Sequence, residues 1–127
     1  MAYRIFFEGP TLVVVLSGTV EAADLHEIAS EIIALEEGGT NTPNRLIDVR
    51  AIEDATVGYQ DMARLADRSR ARPLSAKIRS AILVGQPVQL GYARMFQILN
   101  DHPQITVRIF EDELAARVWL ATGEPSE

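Results

Sequence analysis

Asp54, Thr56 and Gly58 alternate in the stretch RLIDVRAIEDATVGYQ, residues 45–60, where an apolar run gives way to an acidic loop and then to helix-forming residues. A hydroxyl set between an aspartate and a glycine at a helix start can do one of two things. It can accept a phosphoryl group, or it can accept a hydrogen bond from a backbone N–H two or three residues on and so cap the helix. A phosphate on Thr56 would suit the positive end of a helix dipole, but Asp54 would repel it unless a base such as Arg50 came close. Capping accounts for Thr56 without further chemistry, and Thr19, Asp54 and Asp112 are capping residue types at expected helix starts too.

The other polar residues yield no catalytic set. Asp48, at the end of an apolar strand, suits a carboxylate that accepts backbone N–H bonds in the following loop. His26 lies among Asp24, Glu27 and Glu31, but these spacings on one helix do not converge on a metal without a donor from elsewhere, and a solvated face explains them. His102 precedes Pro103 in a turn, with no nucleophile to serve. The run GQPVQLG, residues 85–91, lacks the Gly-Lys-Ser/Thr ending of a phosphate loop. No Gly-x-Ser-x-Gly elbow, His-Glu-x-x-His pair or dinucleotide fingerprint occurs, and the absence of cysteine removes disulfides, thiolate metal sites and thiol nucleophiles. No nucleophile, base and orienting group can be assembled, so the expectation is no enzyme, no catalytic residue, no metal and no cofactor.

The elements that must carry these residues follow from hydrophobic period. YRIFFEG and TLVVVLSG are β-rich runs around Gly9-Pro10 and predict an antiparallel pair. Leu25, Ile28, Ala29, Ile32 and Leu35 recur at helical spacing, with Gly38-Gly39 closing the pattern. NRLIDV reads as a strand, and Met62, Leu65 and Ala66 mark a helix from about Thr56 to Arg70, stopped by Pro73. KIRSAILVG has the continuous apolar centre of a strand buried on both faces. Val88, Tyr92, Met95, Phe96 and Leu99 form a third helical stripe, QITVRIF alternates as a strand, and Asp112 opens a last helix predicted to bury Leu114, Ala115, Val118 and Trp119. The order β-β-α-β-α-β-α-β-α predicts a single α/β domain over residues 1–122, its first strand antiparallel and the rest parallel, with a frayed tail at 123–127.

In a parallel sheet, ligands sit outside the carboxyl ends of the strands. That rule selects Thr19, Asp54, Thr56, Gly58, Gly85 and Gln86 as a candidate binding surface, with Tyr92 able to place its hydroxyl where a ligand would enter.

The chain of 127 residues is 47% apolar, the size of one core, and no apolar run approaches the ~18 residues of a membrane span. The opening MAYRIFFEG lacks a signal peptide's apolar centre, which gives an expectation of a cytoplasmic protein with no integral membrane association. A net charge of −6 argues against nucleic acid as a partner. Acids crowd the first helix (Glu21, Asp24, Glu27, Glu31, Glu36, Glu37), while Arg64, Arg68, Arg70, Arg72, Lys77 and Arg79 crowd another segment. Most simply these are solvated faces, and their complementarity also suggests a homodimer.

The order of elements, LIDVRAIEDATVGY and the closing ITVRIFEDELAARVWL together resemble the SpoIIAA-like group: the STAS domains of anti-sigma-factor antagonists and the small bacterial STAS or CRAL-TRIO-like proteins. The first motif is placed like that family's strand and Asp-Ser-Ser-Gly turn, with Thr56 its one hydroxyl. The resemblance implies a SpoIIAA-like fold and a protein-interaction or regulatory module without catalysis, which would use the helix after Asp54 and the surface around Thr56. The alternative, by kinship with CRAL-TRIO domains, is a carrier or sensor of a small apolar, lipid-like ligand. Those domains use extra helices as a lid, and 127 residues leave none to spare.

Overall fold

The computed structural model describes residues 2–37 and 41–123. The helix stop expected at Gly38-Gly39, and residues 124–127 of the expected tail, lie outside the described residues. Five strands and four helices follow one another as β1 (Ala2–Glu8), β2 (Thr11–Glu21), α1 (Ala22–Glu37), β3 (Arg45–Thr56), α2 (Tyr59–Arg70), β4 (Ile78–Leu83), α3 (Pro87–Leu99), β5 (Ile105–Phe110) and α4 (Glu113–Thr122). The strands lie in one sheet in chain order, β1-β2-β3-β4-β5, with β1 antiparallel to β2 and the remaining pairs parallel.

Local chemistry explains the hairpin. Glu8 pairs with Thr11, and Gly9 takes φ +59° in the two-residue loop, a conformation that L side chains resist. Parallel strands in sequential order need a crossover at every step, and each crossover is right-handed, so the three helices that make them fall on one face. Ile28 of α1 and Met62 of α2 accordingly share a core with Val14, Leu16 and Val20 of β2, and Tyr92, Met95 and Phe96 of α3 pack against it. The last helix follows the last strand and is free of that constraint. α4 covers the opposite face, where Ala116, Trp119 and Leu120 pack on Val13, Leu46, Ala81 and Leu83. Adjacent residues of β2, Val13 and Val14, thus face different layers, as strand alternation requires. β4 lies between β3 and β5 with helices on both sides, in keeping with its continuous apolar run.

Three expectations need correction. First, β2 and β3 are longer than their apolar runs. β2 continues through a bulge at Gly18, φ +81°, to Glu21, and β3 continues to Thr56, with Thr19 beside Asp54 and Glu21 beside Thr56. Ile52, Ala55 and Val57 turn inward and pack on the α1–α3 core, so burial holds this segment extended where its acidic residues suggested a loop. Second, α2 starts at Tyr59, and Thr56 does not cap it. The cap is Gly58, whose N–H donates to Asp61 Oδ2 at 3.0 Å. α1 likewise begins after Glu21, whose N–H donates to Asp24 Oδ2 at 2.9 Å, so Thr19 is no cap either. Asp54 only accepts from the next N–H, that of Ala55, while Asp112 does cap α4 through Leu114 N–H. Third, α4 is rotated from the expected phase. Leu114 is 70% exposed and Val118 is exposed, whereas Ala116, Trp119 and Leu120 are buried. ELAARVWLAT is apolar around most of its circumference, so its period alone does not select a face.

Candidate functional site: a cavity between the sheet and its covering helices

The residues selected by the strand-end rule do not form one pocket. Thr19, Asp54 and Thr56 sit on the exposed extension of β2 and β3, and Gly58 follows them. Gly85 and Gln86 lie in the turn between β4 and α3. In doubly wound sheets the ligand crevice opens where the strand order reverses. Here the parallel strands advance in one direction from β2 to β5, so no such reversal splits their loops apart.

What ties this region together is a residue that the sequence reading passed over. Gln89 of α3 is 3% exposed. Its Oε1 accepts the N–H groups of Gly85 at 2.8 Å and Gln86 at 3.0 Å, and its Nε2 donates to the carbonyl oxygens of Arg50 at 3.0 Å and Ile52 at 2.8 Å. One amide thereby uses both of its faces to lock the β4–α3 turn against β3. Tyr92, one turn further on, donates its hydroxyl to Ala55 O at 3.3 Å. On the other face, Arg50 Nη2 reaches Asp48 and Glu113 of α4, each at 2.9 Å, and Arg50 N–H donates to Asp48 Oδ1. Asp48 therefore does accept a backbone N–H, but inside a strand and not in a loop. Burial works to raise the Asp48 carboxyl, and the side-chain and backbone hydrogen bonds from Arg50 outweigh it, holding it below the ordinary carboxylate range.

The two histidines have structural partners. His102 is buried; its Nδ1 accepts from Gln104 N–H at 3.0 Å, which leaves Nε2 to carry the proton it donates to Arg72 O at 2.7 Å. His26 contributes its backbone carbonyl, which accepts from Arg68. Among the described residues no cluster of three His, Asp or Glu could hold a metal ion.

The distinctive feature of the molecule is a cavity of about 220 Å³ between the sheet and α1, α2 and α3. It extends from Val20, Ala55, Val57 and Val88 at the carboxyl ends of the strands to Arg45, Leu74 and Ile105 at their amino ends. Its walls are mainly aliphatic and aromatic: Val14, Leu16, Ile47 and Ile82 from the strands, and Ile28, Ala29, Leu65, Tyr92 and Phe96 from the helices. Of the residues selected from sequence, only Tyr92 lines it. α2 packs beside α3 and α1, and its Met62 and Leu65 reach down to the core of β2 and line the cavity.

The charged lining gathers at one end, opposite Gln89. Arg45 and Arg72 both line the cavity and both donate to Glu36 Oε1, at 2.7 and 2.8 Å. The Glu36 side chain is fully buried, so this carboxylate is compensated by two guanidinium groups. Arg68 and Ser69 of α2 line the same end, as does Ser80, which lies beside Arg45 in the β3–β4 register. The basic segment was visible in the sequence as a charge run. That it converges with Glu36 and Arg45 depends on the crossover geometry and not on local spacing.

Element order, strand pairing and helix placement are those of the SpoIIAA-like fold. A solved structure with this fold is that of an uncharacterized protein of the DUF3478 family from Shewanella loihica PV-4; it matches 94% of this chain and 92% of its own with a TM-score of 0.62 and 20% sequence identity. At that identity the likeness is one of fold. No protein-family model and no curated protein matches the sequence. No helix among the described residues is long and apolar enough to cross a membrane.

Proposed function

We propose that the protein is a non-enzymatic STAS-like binding module whose ligand is a small apolar molecule held between the sheet and α1–α3. The observation that carries this reading is the cavity. An engineered apolar cavity of about 150 Å³ already takes benzene. At about 220 Å³ the space is larger than that, and its walls are chiefly apolar side chains that gain contacts from an apolar occupant. A chain that sustains such a space gains from an occupant. α2 contributes Met62, Leu65, Arg68 and Ser69 to the walls, so the crossover helices themselves enclose the space without an added element.

Native mass spectrometry of the protein purified from its own host tests the reading. A retained small apolar molecule supports it; bare protein, together with no uptake of added apolar compounds, sinks it.

A second reading, an interaction surface for another protein around Thr56, is favoured by Tyr59 and Val88, large apolar side chains exposed near the carboxyl ends of β2 and β3. Tyr59 is the first residue of α2, and Val88 also lines the cavity, so an occupant that shifts α2 would alter this surface. A pull-down with and without the bound molecule connects the two readings. For a homodimer, the charge argument is weakened from within the chain. Glu36 is taken by Arg45 and Arg72, Arg70 pairs with Asp67, and Arg68 turns onto α1.

A further inference from the structure

We infer that the cavity's ligand carries an anionic head, a carboxylate on an apolar tail, and that Arg68 receives it. This rests on the apolar-cavity reading above and specifies the chemistry of its occupant. Polar side chains line both ends, but Gln89 and Tyr92 at the carboxyl ends of the strands are neutral and bonded to backbone groups, whereas the charged groups all lie at the amino ends. Arg45, Arg68 and Arg72 line that end, while no aspartate or glutamate does. Glu36, the carboxylate that Arg45 and Arg72 both reach, is already shared between them. Three guanidinium groups against one carboxylate leave an excess of positive charge beside a low-dielectric space, where an unpaired charge is costly and an incoming anion is correspondingly favoured.

Arg68 is the group that such an anion would meet. It is half-buried, and the groups it bonds are neutral: Nη1 donates to His26 O at 3.0 Å and Nη2 to Ser30 Oγ at 2.7 Å. It forms no ion pair among the described residues. Both contacts hold the guanidinium in place against α1, and most of its N–H donors stay available for a planar, bidentate acceptor. The hydroxyl of the neighbouring Ser69 adds a further donor on the same lining. A neutral apolar molecule would use none of these groups; a fatty acid would use them all, with its chain running toward Phe96 and Val20.

Calorimetric titration with decanoate and with decan-1-ol at pH 8 tests the inference. Decanoate is expected to bind at least about tenfold more tightly, as a charge-assisted hydrogen bond implies. Arg68→Met is expected to bring decanoate down to the level of the alcohol while leaving the alcohol's affinity unchanged. Equal affinity of the parent protein for the two would overturn the anionic head and leave the apolar cavity standing. Failure of both to bind would overturn the cavity reading itself, and this inference with it. Should Arg68→Met not fold, carboxyl-labelled decanoate on the parent protein decides by NMR. Its carboxyl is expected to titrate below its free value when bound, and titration at or above the free value would overturn the assignment.

Discussion

Gln89 Nε2 donates to Ile52 O at 2.8 Å, joining the first turn of α3 to β3 across the layer that the cavity occupies. Gln89→Leu keeps roughly the same volume but removes this bond, the bond to Arg50 O and the acceptor for two turn N–H groups. Buried backbone groups left without partners carry the desolvation penalty, so a loss of about 2–3 kcal/mol is expected. Gln89→Glu should lose at least as much in urea denaturation at neutral pH, because it sets a buried carboxylate oxygen against the carbonyl oxygens of Arg50 and Ile52 in place of a donor. A Leu variant as stable as the parent would mean that the turn is held by packing alone.

The start of α2 offers a second test. Thr56 ends β3 in an exposed position, and the first-turn side chain that satisfies an N–H there is Asp61, which accepts from Gly58. Asp61→Ala should therefore cost about 1 kcal/mol, the usual worth of such a cap. Thr56→Ala should change stability by no more than about 0.5 kcal/mol, as for exposed sites without a special role. Thermal melts of the two variants distinguish the assignments, and the reverse order would restore the hydroxyl as the cap.

Acid should loosen the contact between β3 and α4. Hydrogen bonds from Arg117 and Arg50 hold the Glu113 carboxyl below its ordinary value of 4.5, and Asp48 is held below 3.8 against its burial. A carboxyl whose folded-state pKa is depressed contributes stability that is fully present above its unfolded value and is lost as pH falls through the folded one. Glu113→Gln should accordingly melt lower than the parent at pH 7, with the difference closing as pH drops below the ordinary carboxyl value of 4.5. Glu113 and its partners Arg50 and Arg117 are nearly half exposed, so the difference should be small and should shrink further in molar salt. A gap that is the same at both pH values would show that the pairs contribute nothing.

Trp119 and Leu114 lie on the same helix and should respond in opposite ways. Trp119 is 3% exposed and packs against Phe110, with ring centroids 5.5 Å apart, whereas Leu114 faces solvent. Trp119→Ala should cost about 3–5 kcal/mol and Leu114→Ala less than about 0.5 kcal/mol. Equal effects in denaturant titration would place α4 in the phase expected from its sequence.

Those two residues also show how far the sequence could be read. Alternation of Ile105, Val107 and Ile109, and the continuous apolar run of β4, reveal strands because burial on a pleated sheet has a period of two. The parallel order then follows from the length of the crossovers. The rotation of α4 was not legible, because a helix rich in apolar residues all round has no preferred face until the sheet supplies one. Nor was the extension of β3, where the inward packing of Ile52 and Ala55 outweighs the turn-forming acids Glu53 and Asp54. The cavity was beyond reach for a different reason. It is a property of how the helix layer lies over the sheet, and no residue pattern records a space. Gln89 read in the sequence only as a polar position among helix formers, and Arg68 only as one member of a basic run.

Ala29 gives the most direct test of that space. It lies on α1 and lines the cavity between the layers. In a core packed to ordinary density, Ala→Phe would force off-rotamer side chains and backbone shifts, at a cost of about 1–3 kcal/mol or more. Here the ring has a void of about 220 Å³ to enter, so Ala29→Phe should leave the unliganded protein at least as stable as the parent, and more stable if the ring recovers dispersion contacts that the empty wall lacks. The same substitution occupies the path of a bound chain, so affinity for decanoate and decan-1-ol should fall together. Melting in the absence of ligand and calorimetry in its presence supply the two readouts. A variant that is strongly destabilised would show that the layers close up in solution and leave no room for an occupant. One that is stable and still binds both compounds unchanged would place the ligand elsewhere on the molecule.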